Sequence, residues 1–260
     1  MIHDSEGETE VETGVDRGGF RTRHRIARHR AYLEVALSIV SVEGLTALTM
    51  QRVAAELDCA VGAIYRYFPS KAALIGEVQR EALAILHTSM LLGRARLDGL
   101  LADRAVDDAT AALARVVGVS HWWAEAGDTF PQEVRLLHRL IADAETVLPP
   151  DEALRVLPGA MRLVETVRDS FDRAVEQGVL DPGDGMERTV IAASAITGLL
   201  MTSKLGRLDV DLFDGPRLAR QAVRDLLLAW GAPPPTLAAA EELVAELARL
   251  GPMAPPVPRT

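Results

Sequence analysis

Cysteine is almost missing from this chain of 260 residues. Cys59 stands alone, which excludes an intramolecular disulfide and suits a reducing cytoplasm. Aromatic residues make up only 4%, while Ala and Leu recur throughout, a balance that favours helix over sheet. Long hydrophobic runs are missing too. The longest apolar stretch, Val190 to Met201, holds 12 residues, too few to span a bilayer. Residues 1–16 contain no Lys or Arg and six acids, so the N-terminus does not read as a secretory signal. Catalytic signatures are lacking: there is no G-x-x-x-x-G-K, G-x-G-x-x-G, H-E-x-x-H or C-x-x-C. Gly118 to Trp122 starts like a nucleophile elbow but has no second glycine and no flanking strand. The six histidines show no ligand spacing. No catalytic residue, metal or cofactor is expected.

What is present is apolar and helical. Hydrophobic residues reach 48%, enough for a core in one large or two small domains. The net charge of −9 is unevenly spread. Residues 1–16 carry −6, residues 17–71 carry nine bases against four acids, and the remainder carries −8. A basic face on an acidic body can hold phosphates while the body stays clear of them.

Helical periodicity runs through the chain after a polar, Gly-containing segment over residues 1–20 and a basic arm from Arg21 to Arg30. A first helix is expected over Ile26–Glu43, with Ile26, Leu33, Leu37 and Val40 on its buried stripe and Gly44 as its C′ residue. A second helix follows Thr49, a good N-cap, and buries Met50, Val53, Ala54 and Leu57. Asp58 and Cys59 form a turn. A third helix spans about Val61–Tyr67 with Val61, Ile64 and Phe68 inward. At about 100° per residue, Gly62 and Arg66 lie opposite Ile64, flanked by Ala63 and Tyr65. Small residues there allow close approach to base edges, and the Arg66 fork suits guanine or phosphate. Pro69 and Ser70 stop this helix and start a fourth, which places Lys71 in a first turn, where phosphate is favoured. The fourth helix reaches about Met90. Later helices are expected at 103–126, 131–148, 150–177, 186–205 and 216–230, with Pro158 bending or splitting one of them. Gly178, Gly206 and Gly231 are placed as C′ residues.

The segment Ile26–Leu86, and above all the run IYRYFPSKAAL, resembles the N-terminal domain of the tetracycline-repressor (TetR) family of transcriptional regulators. The matching residues include Gly44, Thr49, Val53, Ala54, Leu57, Gly62, Ile64, Tyr65, Tyr67, Phe68, Ser70, Lys71 and Leu74. The resemblance implies an all-α protein with an N-terminal three-helix helix-turn-helix domain and an all-helical ligand-binding and dimerisation domain. It implies a homodimer on double-stranded DNA, a pseudo-palindromic operator, and release by a small ligand. Carried over by position, Thr49, Tyr65, Tyr67 and Lys71 would contact phosphates, while Gly62, Ala63 and Arg66 would face bases. Three positions depart from the pattern. Ala60 replaces the Ser or Thr that usually caps the third helix, Asp58 replaces the usual turn glycine, and Arg52 stands where an acid is common and is a candidate for a further phosphate contact.

The domains expected are a disordered arm (1–25), a DNA-binding domain (26–86), an effector-binding and dimerisation domain (87–231) and a Pro-rich extension (232–260) with a short helix. In the second half His121, Trp122, Trp123, Phe130, His138, Met161 and Phe171 are candidates for lining a pocket, since indole and thioether walls suit an apolar or amphipathic effector. The helices around 186–205 and 216–230, with Ala192, Ala193, Ala195, Gly198 and the leucines 226–228, are candidates for an isologous dimer contact. In the extension, Leu237, Val244, Leu247 and Leu250 can dock on the body, and the terminal PMAPPVPRT reads as a loose tail. Cys59 reads as a buried structural residue rather than a redox switch. The reading is a cytoplasmic DNA-binding regulator, most simply a repressor. The alternatives are an activator of the same fold or a helical small-molecule binder that does not engage DNA.

Overall fold

Capping residues and apolar spacing set the borders of most helices. The computed structural model describes residues 17–142 and 148–258. Among them ten α-helices follow one another: α1 (Arg17–Glu43), α2 (Met50–Glu56), α3 (Val61–Tyr65), α4 (Lys71–Asp103), α5 (Asp108–Thr129), α6 (Pro131–Ala142), α7 (Pro150–Glu176), α8 (Gly185–Thr202), α9 (Gly215–Ala229) and α10 (Pro234–Leu250). No strand occurs among the described residues.

The fold is all-α, and several borders differ from the sequence reading. Helix α1 starts at Arg17, so the basic segment 21–30 is helical rather than a loose arm. Once a packed nucleus exists, adding a further turn of Arg, Ala and His costs little. Residues 1–16 of the expected arm lie outside the described residues. Ile26, assigned to the buried stripe, is 53% exposed; the buried set begins at Tyr32 and Leu33. Gly44 takes φ +95°, a left-handed value that glycine adopts freely, and its N–H donates to the Val40 carbonyl at 3.1 Å.

Helix α4 runs 33 residues, past the expected end at Met90, because Leu97 and Leu101 continue its buried stripe. It therefore crosses the expected 86/87 domain border without a break. Its first half packs into a core with α1, α2 and α3; its second half packs into a larger core formed with α5 and α7 to α10. Helix α7 continues through Pro158, which removes one backbone donor without ending the helix. Gly178 and Gly231 adopt φ +67° and +92°, as helix-ending glycines do. Gly206 does not: a right-handed turn at Ser203–Leu205 carries the chain on, and its φ is −56°.

The proline-rich tail is docked rather than loose over residues 252–258; residues 259–260 lie outside the described residues. Leu237, Val244 and Leu247 of α10 are buried in the larger core, while Leu250 is 70% exposed at the helix end. Met253 and Ala254 are buried as well. The Met253 N–H donates to Glu125 Oε2 at 2.6 Å, Arg96 donates to the Pro252 carbonyl at 2.6 Å, and Ser89 Oγ donates to the Pro255 carbonyl at 2.8 Å. Backbone groups of a proline-rich segment thus find partners on α4 and α5, which holds it against the body.

Candidate DNA-binding face and ligand cavity

The pair α2–α3 is a helix-turn-helix. Thr49 caps α2, its Oγ1 accepting from the Arg52 N–H at 3.0 Å. Asp58 occupies the turn with φ +46°, the conformation that glycine would take without strain. Ala60 offers no side-chain cap to α3. Ser70 caps α4, accepting from the Ala73 N–H at 3.0 Å. Ile64, Phe68, Met50, Val53 and Ala54 bury together with Tyr32 and Leu48. Cys59 is half-buried at the edge of this core, beside the buried Tyr32 hydroxyl, whose pKa burial and the thiol both raise.

Gly62, Tyr65 and Arg66 form the exposed side of α3. A Cβ on Gly62 would meet nothing within 4 Å. The Arg66 guanidinium has no ion-pair partner among the described residues. Ala63 does not join this side: it is buried beside Ile64, whereas Tyr65 on the other flank of Ile64 is exposed, so the buried side of α3 is centred between positions 63 and 64. Tyr67 is half-buried, its ring edge-on to Tyr32 with centroids 5.2 Å apart. The Lys71 ammonium donates to the Leu45 carbonyl at 2.8 Å, which ties the start of α4 to the loop before α2. Arg52 is neutralised within the chain, 2.9 Å from Glu56 and 3.1 Å from Glu43. Of the eight residues singled out in the sequence for DNA, the structure brings Thr49, Gly62, Tyr65 and Arg66 to the surface without a charged partner. Tyr67 and Lys71 are partly engaged, Arg52 is paired, and Ala63 is covered.

A cavity of about 300 Å³ lies in the second half of the chain, walled by α4, α5, α6, α7 and α8. Trp122, Trp123, His138 and Phe171 line it, joined by Leu83, Leu86, Leu163 and Ile196. Three other residues proposed from the sequence do not. His121 points to the opposite side of α5, Phe130 is buried in the core at the end of α5, and Met161 sits off the stripe 160, 163, 164, 167 and 171 that α7 turns toward the cavity. The additional leucines and Ile196 carry no signal separating a cavity wall from ordinary core. The polar groups at the wall are mostly satisfied: Ser120 donates to the Val116 carbonyl at 3.1 Å and Thr189 to the Gly185 carbonyl at 2.7 Å. His138 is the exception, with a buried Nε2 that has no partner among the described residues. Burial first, and then Lys204, lower its pKa, so the ring is neutral at pH 7.

Helix α6 touches both regions. Leu136 is buried in the N-terminal core, whereas Val134, Leu137 and His138 line the cavity. Val134 and His138 lie on the far side of α6 from Leu136 at about 100° per residue. On α8, Val190, Ile191 and Met201 are exposed, with Leu205 beyond. Ala192 and Leu227, proposed from the sequence for a partner contact, are instead buried within the chain, and Ala193 lines the cavity.

Comparison with known proteins agrees with this architecture. Residues 33–78 match the model of the bacterial regulatory proteins of the tetR family. No curated protein is significantly similar in sequence. Among solved structures, the chain is similar to a putative transcriptional regulator from Saccharomonospora viridis in complex with choline. The two are 20% identical, with 77% of this chain and 95% of that one covered and a TM-score of 0.54. It is also similar to PfmR, a TetR family transcriptional regulator from Thermus thermophilus, at 24% identity, 76% and 97% coverage and a TM-score of 0.52. SmeT, the repressor of the Stenotrophomonas maltophilia multidrug efflux pump SmeDEF, is 17% identical, with 77% and 88% coverage and a TM-score of 0.54. Among the described residues no helix is long and apolar enough to cross a membrane. Residues 33–78 thus carry the helix-turn-helix of the tetR family of bacterial regulatory proteins, and the chain as a whole shares the fold of the transcriptional regulators it is similar to.

Proposed function

We propose that this regulator acts as a homodimeric repressor that a small apolar ligand releases from its operator. The observation that carries the reading is the placement of α6, with Leu136 in the N-terminal core and its opposite side in the cavity wall. A ligand that displaces Val134, Leu137 or His138 must move or strain the helix that also packs beneath α1. The cavity walls are indole, phenyl and aliphatic, and the neutral His138 offers one hydrogen-bonding position. An uncharged, mainly apolar effector fits this lining. The choline bound by the Saccharomonospora viridis protein supports a small-molecule role for the same fold.

On DNA, α3 lies in the major groove, Gly62 permits close approach, and Arg66 reaches a base edge. Thr49, Tyr65, Tyr67 and Lys71 meet phosphates, with Lys71 leaving the Leu45 carbonyl to do so. The apolar residues exposed on α8, together with α9, form the contact with a second copy. The two recognition helices then read half-sites about 34–36 Å apart or a multiple of that.

The test is selection of bound fragments from genomic DNA, followed by anisotropy titration of the enriched duplex with Tyr65→Ala and Arg66→Ala proteins. Tyr65→Ala should weaken all duplexes alike. Arg66→Ala should cost about 1–3 kcal/mol on the selected site and relax its preference at one position. The reading fails if no fragment is enriched, or if Arg66→Ala binds every duplex as the unmodified protein does.

A further inference from the structure

A second cavity, of about 330 Å³, opens on the other side of α5, between α9 and α10. Arg217, Arg220 and Arg224 reach it from α9, three and four residues apart and therefore along one stripe. Their neutralisation is incomplete. Arg224 is ion-paired with Glu241 of α10. Arg217 donates to the Asp211 carbonyl at 2.9 Å and stands 3.9 Å from Asp214. Arg220 has no carboxylate partner among the described residues. Beside it lies His121, largely buried, with its pKa pushed down to about 4 by burial and then by Arg220. At neutral pH its ring adds no charge but keeps one donor and one acceptor. The apolar floor is Val117 and Val223.

Glu241 pairs with Arg224 and Asp214 stands near Arg217, so Arg220 leaves the cavity with an excess of one positive group, although residues 72–260 carry a net charge of −8. A concave, partly apolar site with one uncompensated arginine is suited to an anion with an apolar body. We propose that this cavity is a second small-molecule site, taking an organic anion whose carboxylate or phosphate head engages Arg220 and whose apolar part rests on Val117 and Val223. Ser120 borders both cavities, so α5 is their common wall, while the two sets of lining side chains are otherwise separate. The proposal is independent of the DNA-binding reading.

The test is calorimetric titration of the full chain at low salt with phenyl phosphate, benzoate and inorganic phosphate, and with benzyl alcohol as the uncharged counterpart. At least one of the two aromatic anions should bind saturably, one per chain, and more tightly than inorganic phosphate or benzyl alcohol. Arg220→Gln, a change at an exposed position, should weaken it at least about tenfold, with circular dichroism checking that the fold is kept. Val164→Phe, which narrows the first cavity, should leave that affinity unchanged. The proposal is overturned if neither aromatic anion binds saturably, if inorganic phosphate or benzyl alcohol binds as well, if Arg220→Gln binds like the unmodified protein, or if Val164→Phe abolishes binding.

Discussion

His121 should make the fold sensitive to mild acid. In an unfolded chain its imidazole titrates near 6.5; in the fold it titrates at about 4, chiefly through burial and then through Arg220. Between those values the unfolded state binds more protons than the native one, so stability falls as pH falls. The loss begins as pH drops through about 6.5 and is complete near 4, below which both states are protonated. Each pKa unit is worth about 1.4 kcal/mol, so the whole window amounts to about 3 kcal/mol. His29, His87 and His138 are shifted in the same direction. A direct pH scan would mix all four with the carboxylates, so the assay is a subtraction. Urea unfolding is followed at a series of pH values between 7.5 and 4.5 for the unmodified protein and for His121→Gln, which keeps hydrogen-bonding capacity and cannot titrate. The difference in unfolding free energy should be constant above about pH 7. It should move in favour of the glutamine protein by about 2–3 kcal/mol at the acid end. A difference that stays level throughout would refute the reasoning, since His121 would then be as hydrated in the fold as outside it.

Two further outcomes follow from packing. Leu136→Ala should destabilise the protein by about 2–5 kcal/mol in denaturant titration, because it empties a fully enclosed site between α6 and the N-terminal core; a loss below about 1 kcal/mol would mean that α6 is not anchored there. Gly93→Ala should detach the C-terminal strap, since a Cβ would come within 2.4 Å of the Met253 carbonyl; hydrogen exchange at the amides of Met253, Ala254 and Val257 should then rise, and unchanged protection would show that the strap is held elsewhere.

The N-terminal unit was the more legible half, for reasons visible in single residues. Thr49, Asp58, Gly44 and Ser70 act within three or four positions of themselves, so their roles as cap, turn, helix end and cap are properties of local chain. The side that α3 exposes followed from periodicity, except at Ala63, because how α3 is rotated on the domain, which buries 63 with 64 and leaves 65 out, is set by packing against other helices. Arg52 shows a different limit. Glu56 one turn on was readable, but Glu43 reaches it from another helix, and only that meeting removes its charge from the face.

In the second half, composition predicted a helical body and aromatic residues fit to line a pocket, yet it could not say which side of α5 each residue faces. His121, Trp122 and Trp123 are neighbours in sequence and part company in space: the two indoles enter the apolar cavity and the imidazole enters the cationic one. The docked tail was equally hidden, because its hydrogen bonds join residues more than a hundred positions apart. Sequence alone determined the helical class, the helix-turn-helix with its caps Thr49 and Ser70, and the separation of basic from acidic segments, all consequences of short-range geometry and residue type. The tertiary structure alone decided which cations stay unpaired, where the cavities open, and that α6 joins one of them to the N-terminal core, because these depend on which helix faces meet, and no local pattern encodes a meeting.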